Sequence, residues 1–297
     1  MKDYIAKNVN RPIPVGYSAA DIRPILMDTL NYFICEDGQN SRSDFFGLNS
    51  YSWCGDSSYT KSGYDVLTED FRNASVPVFF SEYGCNAVQP RIFTEVEALY
   101  SPEMTQSFSG GLVYEWTQEE NDYGLVQLHD NGTATLLVDY DNLMAQYSKL
   151  DMARIQASNT TQTSVQPPKC DPSLITNSTF TDSFDLPKRP SGVQRFIDNG
   201  LPNAKTGKLV DVKGGPIPQK IYSHNGQEVT GISLNVLASG ESNTPGAHTS
   251  GSTSGGSSGS SGSSSSSGSN NKNAAGAVTV PFVALLSAAS FMALFML

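Results

Sequence analysis

Four short apolar runs stand out along the first part of the chain: Ile13–Ala19, Phe45–Trp53, Val76–Gly84 and Gly110–Trp116. Each is rich in Val, Ile, Phe or Tyr, the composition of a buried strand. Helix-like segments separate and follow them: Ala20–Ile34, Thr94–Phe108 and Asn142–Gln156, with Pro24 breaking the early turn of the first. Strands alternating with helices at this spacing predict βα units, a parallel sheet and the α/β class. Four such units make half of an eight-stranded (β/α)8 barrel, which usually runs to about 250 residues. Residues 1–156 are therefore expected to form half a barrel. A half barrel leaves open edges and an uncovered core, so a front half is expected upstream.

Beyond residue 156 the patterning weakens. Residues 157–241 are expected to be an extension packed on the barrel half. Residues 242–273 collapse to Ser, Gly, Thr and Asn, with too little apolar area to offset ordering entropy, and predict a disordered stalk. Residues 274–297 end in an uncharged apolar tail, Ala277–Leu297. Small residues, a short polar spacer and a terminal apolar tail make a signal for a GPI anchor, with the attachment site expected within Gly268–Asn273 and the tail removed. A tail-anchored helix of about 20 residues is the rival, but no basic residue follows the tail, and the stalk precedes it. The expected location is the outer face of the cell membrane and, with it, the cell wall. The opening, MKDYIAKNVN, lacks the apolar stretch of an export signal. Anchor without export signal is a contradiction, so a truncated or mis-started gene model is expected.

Charge and cysteine usage narrow the chemistry. A net charge of −10 gives no attraction to phosphate backbones and argues against nucleic acid. The cysteines, Cys35, Cys54, Cys85 and Cys170, form no CxxC pair, and His129, His224 and His248 are scattered, so no metal site is expected. In a secreted chain an even cysteine count reads as disulfides, and four cysteines allow three pairings. Sequons occur at Asn73, Asn131, Asn159 and Asn177.

Polar and aromatic residues cluster where the runs end: Tyr17; Asn49, Tyr51 and Trp53; Glu82 and Tyr83; Tyr114, Glu115 and Trp116. Active sites of βα barrels lie at the C-terminal strand ends. Aromatic rings there suit the apolar faces of pyranoses, and carboxylates do acid–base or nucleophilic work. The sharpest motif is Pro77–Asn86, where an apolar run ends abruptly in Glu82. A carboxylate in such a run is costly unless it is paired or functional.

Together FGLNSYSWCGDSSY, FFSEYGCN and LVYEW followed by ENDYGLV resemble glycoside hydrolase family 72, the fungal GPI-anchored β-1,3-glucanosyltransferases. The resemblance runs to about Leu237 and then through stalk and anchor. It implies that the barrel half holds strands five to eight. By the same resemblance Glu82 is the nucleophile on strand seven, and Tyr51 (strand six) and Tyr114 (strand eight) belong to the sugar cleft; Asn49, Trp116 and Tyr17, placed at strand ends by the apolar runs, are further candidates for substrate binding. It also implies the disulfides Cys54–Cys85 and Cys35–Cys170. The implied partners are a β-1,3-glucan donor and acceptor, and the plasma membrane through the anchor; the chain is expected to be a monomer without a cofactor.

The family mechanism is retaining and needs a second carboxylate roughly 5–5.5 Å from the first. In the family that acid/base follows an asparagine on strand four, and no Asn-Glu dipeptide occurs in this chain. The 297-residue polypeptide is thus expected to be inactive by itself. Two alternatives stay open: a β-1,3-glucan hydrolase, and a non-catalytic GPI-anchored wall glycoprotein.

Overall fold

A computed structural model describes residues 1–38, 40–157, 165–205, 207 and 210–237. After helix α1 (Lys2–Asn8), strands β1 (Tyr17–Ala20), β2 (Phe46–Asn49), β3 (Val78–Tyr83) and β4 (Gly111–Val113) form one parallel sheet in chain order. Each apolar run thus supplies a strand, but a shorter one. Pro12 and Pro14 lack the amide needed for ladder pairing, and β1 begins only at Tyr17. β2 stops at Asn49, which leaves Ser50–Trp53 in the loop above it.

The helices depart from the sequence expectation in four places. α2 (Arg23–Ile34) is not broken by Pro24; the proline sits in its first turn, where the missing amide costs no hydrogen bond. A further helix, α3 (Tyr64–Asp70), fills the crossover between β2 and β3. The expected helix over 94–108 is divided into α4 (Glu95–Leu99) and a 3-10 turn (Met104–Gln106), with Pro102 between them. The expected helix over 142–156 likewise splits into α5 (Val138–Tyr147) and α6 (Met152–Ala157). Between β4 and α5 lies a hairpin, β5 (Val126–Leu128) with β6 (Ala134–Leu136), whose turn carries Asn131 and Gly132.

The sheet has two unlike faces. Ala19, Phe46, Leu48, Val78 and Phe80 alternate onto the helix-covered face, where they join Leu26, Leu30, Ile34, Leu67, Val96 and Leu99 in one core. Each large side chain fully buried this way contributes about 1.5–3 kcal/mol. The other face carries Ser18, Asn49 and Ser81, whose side chains bond one another: both hydroxyls donate to Asn49 Oδ1, at 2.9 Å and 2.6 Å. Gly47 makes room for this group, since a Cβ there would lie 2.6 Å from Ser81 Oγ. A register shift beyond Leu48 then sets Glu82, rather than Ser81, opposite Asn49.

The later segment is strapped to α2. Cys35 is joined to Cys170, and Glu36 and the 168–170 backbone exchange hydrogen bonds. Asp28 of α2, 2% exposed, accepts from Thr176 N, Thr176 Oγ1 and Asn177 N. Helix α7 (Gln194–Asn199) lies along α1, with Lys7 Nζ 2.6 Å from Asp198. β7 (Gly215–Pro216) pairs with β9 (Ser233–Leu234), and β8 (Ile221–Tyr222) adds to β6. Among the described residues no helix is long and apolar enough to cross a membrane. The stalk (242–273), the tail (274–297), the window Gly268–Asn273 and Asn159 lie outside the described residues.

Candidate active site

Parallel pairing carries the ends of β2, β3 and β4 to the same end of the sheet. There the loop after β2 turns Tyr51 back over β3, and its hydroxyl donates to Glu82 Oε2 at 2.7 Å. The backbone holds the same approach, with Ser50 N donating to Glu82 O at 2.9 Å. Three residues past Tyr51 and three past Glu82, Cys54 and Cys85 form a disulfide, so both loops are tied beside the carboxylate.

Two more rings close around Tyr51. Tyr114 stands edge-on to it with centroids 6.3 Å apart, and Tyr123 does so at 5.7 Å. Tyr114 and Tyr123 also meet each other edge-on at 5.2 Å. Burial pushes the Tyr51 phenol up, and the Glu82 carboxylate facing it pushes it further in the same direction. Tyr114 is raised as well, by burial and then by the carboxylates of Glu115 and Glu82. Tyr51 is therefore a permanent donor, and it fixes one oxygen of Glu82. A carboxylate so oriented can attack an electrophilic carbon, and the surrounding rings offer apolar faces to a sugar.

Of the residues singled out from the sequence, Glu82, Tyr51 and Tyr114 come together here, with Asn49 opposite Glu82 in the ladder. Tyr17 does not. It opens β1, opposite Phe46 at the start of β2, so it lies at the N-terminal end of the sheet, and its ring stacks on Phe33 at 3.9 Å. The apolar run that contains Tyr17 begins with prolines, which moves the strand forward and leaves Ala20, not Tyr17, level with Asn49. Trp116 is half-exposed and packs edge-on against Tyr140 of α5. Trp53 is core, with its indole donating to Thr94 Oγ1 at 3.0 Å. Among the sequons, Asn73 is exposed, and Asn131 and Asn177 each accept from the threonine two residues on.

Sequence reasoning passed over Arg91 and Asp139. Arg91 is buried and reaches three carbonyls around the tyrosine cluster, those of Gly84, Tyr114 and Tyr123. A lone arginine in the stretch QPRIF has no periodicity to mark it; a charged residue between a proline and apolar neighbours was the available hint. Among the described residues no group of His, Cys, Asp or Glu could hold a metal ion.

A family model described as glucanosyltransferase, glycoside hydrolase family 72, matches residues 1–151. The chain is 80% identical over 297 residues to the 1,3-beta-glucanosyltransferase gel2 of Aspergillus fumigatus, a match covering all of this chain and 62% of that protein. It is 43% identical over 211 residues to the 1,3-beta-glucanosyltransferase gas5 of Schizosaccharomyces pombe, covering 67% of this chain and 39% of that one. The chain thus spans about three-fifths of gel2 and less of gas5. Among solved structures, ScGas2 of Saccharomyces cerevisiae in complex with compound 7 superposes with a TM-score of 0.54 at 39% identity, covering 65% of this chain and 43% of that one. With more than half of its residues matched by the family model, the chain belongs to glycoside hydrolase family 72, the glucanosyltransferases.

Proposed function

We propose that this chain is part of a β-1,3-glucanosyltransferase of the fungal cell wall, with Glu82 as its nucleophile. The observation that carries the reading is the Tyr51–Glu82 hydrogen bond at the C-terminal edge of a parallel sheet, inside a cluster of tyrosines. The family membership and the name of the 80% identical gel2 support it. Residues 1–156 supply strands five to eight of a (β/α)8 barrel, and the described residues of the 157–241 extension pack against them. Glu82 attacks the anomeric carbon of a β-1,3-glucan and forms a glycosyl ester while the reducing-end part leaves. A second carboxylate protonates that leaving oxygen, then takes a proton from the non-reducing end of an acceptor glucan, which attacks the ester. No glutamate of this chain is assigned that second role. The Ser/Gly stalk and a GPI anchor attached within Gly268–Asn273 hold the enzyme outside the membrane, next to its polymer.

The test is elongation of laminari-oligosaccharides. One protein is the 297-residue chain; the other is a chimera in which this chain replaces the matched part of gel2. The chimera is expected to produce longer oligomers, its Glu82→Gln variant none, and the chain by itself none. Normal elongation by the Glu82→Gln chimera would refute the assignment. Products that are only shorter than the substrate would favour the hydrolase.

A further inference from the structure

Behind the tyrosine cluster sits a charged side chain that the proposed chemistry does not touch. Arg91 is 2% exposed. Its Nη1 donates to Gly84 O at 3.2 Å and Tyr114 O at 2.7 Å, and its Nη2 to Tyr123 O at 2.6 Å. The Nε is held by Asp139 of α5 at 2.6 Å, and the backbone amide of Arg91 donates to the same carboxylate at 3.1 Å. Asn142, also on α5, donates to Arg91 O at 2.7 Å. The guanidinium is therefore anchored on a helix and aimed at two loops, the one after β3 and the one between β4 and β5. Gly84 lies two residues past Glu82; its φ of +111° and the closeness of Arg91 Nη1, 3.2 Å from where a Cβ would stand, leave room for glycine only.

Two of the three carbonyls it grips belong to the residues whose rings flank Tyr51. Tyr51 in turn holds Glu82. A planar fork can bind several carbonyls at fixed angles, which an ammonium on a flexible stem cannot do. We infer that Arg91 is a positioning residue for the glucan-transfer reaction: through the backbone of Tyr114 and Tyr123 it sets the ring cage that aims the Tyr51 hydroxyl at Glu82. The inference rests on the reading of Glu82 as nucleophile. The competing view is a buried ion pair that only stabilises the fold.

A double-mutant cycle separates the two. In the gel2 chimera, transfer kcat and donor KM are measured for Arg91→Lys, Tyr51→Phe and the double variant, at a temperature where circular dichroism shows each folded. Arg91→Lys is expected to lower kcat on the order of tenfold, the scale of losing hydrogen bonds from a charged group, with a smaller change in KM. In the Tyr51→Phe background the same substitution is expected to cost only about twofold, because residues acting as one unit are not additive. Additive losses, or a lowered Tm with kcat unchanged, would overturn the inference. If Arg91→Lys does not fold, Asp139→Asn, which keeps the guanidinium, goes through the same cycle with the same two outcomes. A Glu82→Gln control that still transfers glucan would remove the underlying reading separately, whatever Arg91 does.

Discussion

Tyr51, in the loop after β2, and Glu82 of β3 are bonded at 2.7 Å, and each lies three residues before one half of the Cys54–Cys85 disulfide. A side-chain hydrogen bond to its carboxylate, a backbone bond to its carbonyl and a covalent link three residues on therefore converge around Glu82. The arrangement fixes one oxygen of Glu82 while the sheet below it stays rigid.

Tyr51→Phe keeps the ring and removes the donor. A hydrogen bond to an ionised group is worth about 1.5–3 kcal/mol, so kcat for oligosaccharide transfer in the gel2 chimera is expected to fall roughly 10- to 100-fold. The melting temperature is expected to change little. Because the phenol is raised above its ordinary value, the unsubstituted protein is expected to show no activity change from ionisation of Tyr51 near pH 10. An alkaline limb there that disappears in Tyr51→Phe would contradict the assigned protonation state.

The two disulfides are expected to act differently. Cys54–Cys85 ties the loops of the site, so the paired change to serine is expected to lower kcat while the far-UV spectrum stays native. Cys35–Cys170 spans 135 residues of sequence and fastens the later segment to α2. Its removal is expected to cost about 2–5 kcal/mol of stability, leaving kcat at low temperature nearly unchanged. Equal effects on kcat from both pairs would argue against this division.

Asp28 makes the later segment's docking sensitive to acid. Burial opposes its ionisation, but the hydrogen bonds from Thr176 and Asn177 outweigh burial and hold the carboxyl below its usual value of 3.8. A depressed carboxylate stabilises the fold above the unfolded value, and that stabilisation is lost as pH falls through the folded one. Asp28→Asn is expected to lower Tm at pH 7 and to flatten the acid limb of a Tm-against-pH curve below about pH 4. An unchanged acid limb would show that the contact does not control docking.

Glu95 has the opposite sign. It is 4% exposed, and burial raises its carboxyl from 4.5 to about 7, against the pull of its own backbone amide and Arg91. The folded state then binds a proton that the unfolded state has released. Stability contributed by this group is full below pH 4.5, declines up to about pH 7 and stays low above it. Glu95→Gln is expected to stabilise the protein at pH 8 by up to about 3 kcal/mol and to have little effect at pH 4. Denaturant unfolding at the two pH values checks this; destabilisation at pH 8 would show that the carboxylate form is the one the fold prefers.

The apolar runs, the helix-like segments between them and the abrupt glutamate in FFSEYGCN are local patterns, so the α/β class, the four strands and the place of Glu82 near a strand end were legible in the sequence. Local pattern also misled. Tyr17 looked like a strand-end residue because its apolar run ended near it, yet Pro12 and Pro14 push the strand later and place Tyr17 at the opposite end of the sheet. Tertiary structure alone decided the shift that sets Glu82 opposite Asn49, the convergence of Tyr114 and Tyr123 on Tyr51, and the reach of Arg91 across to Asp139. Those depend on register and on contacts between residues roughly 30 to 70 positions apart. Alternation and composition carry no signal at such separations; only the packed sheet and helices bring the groups into range.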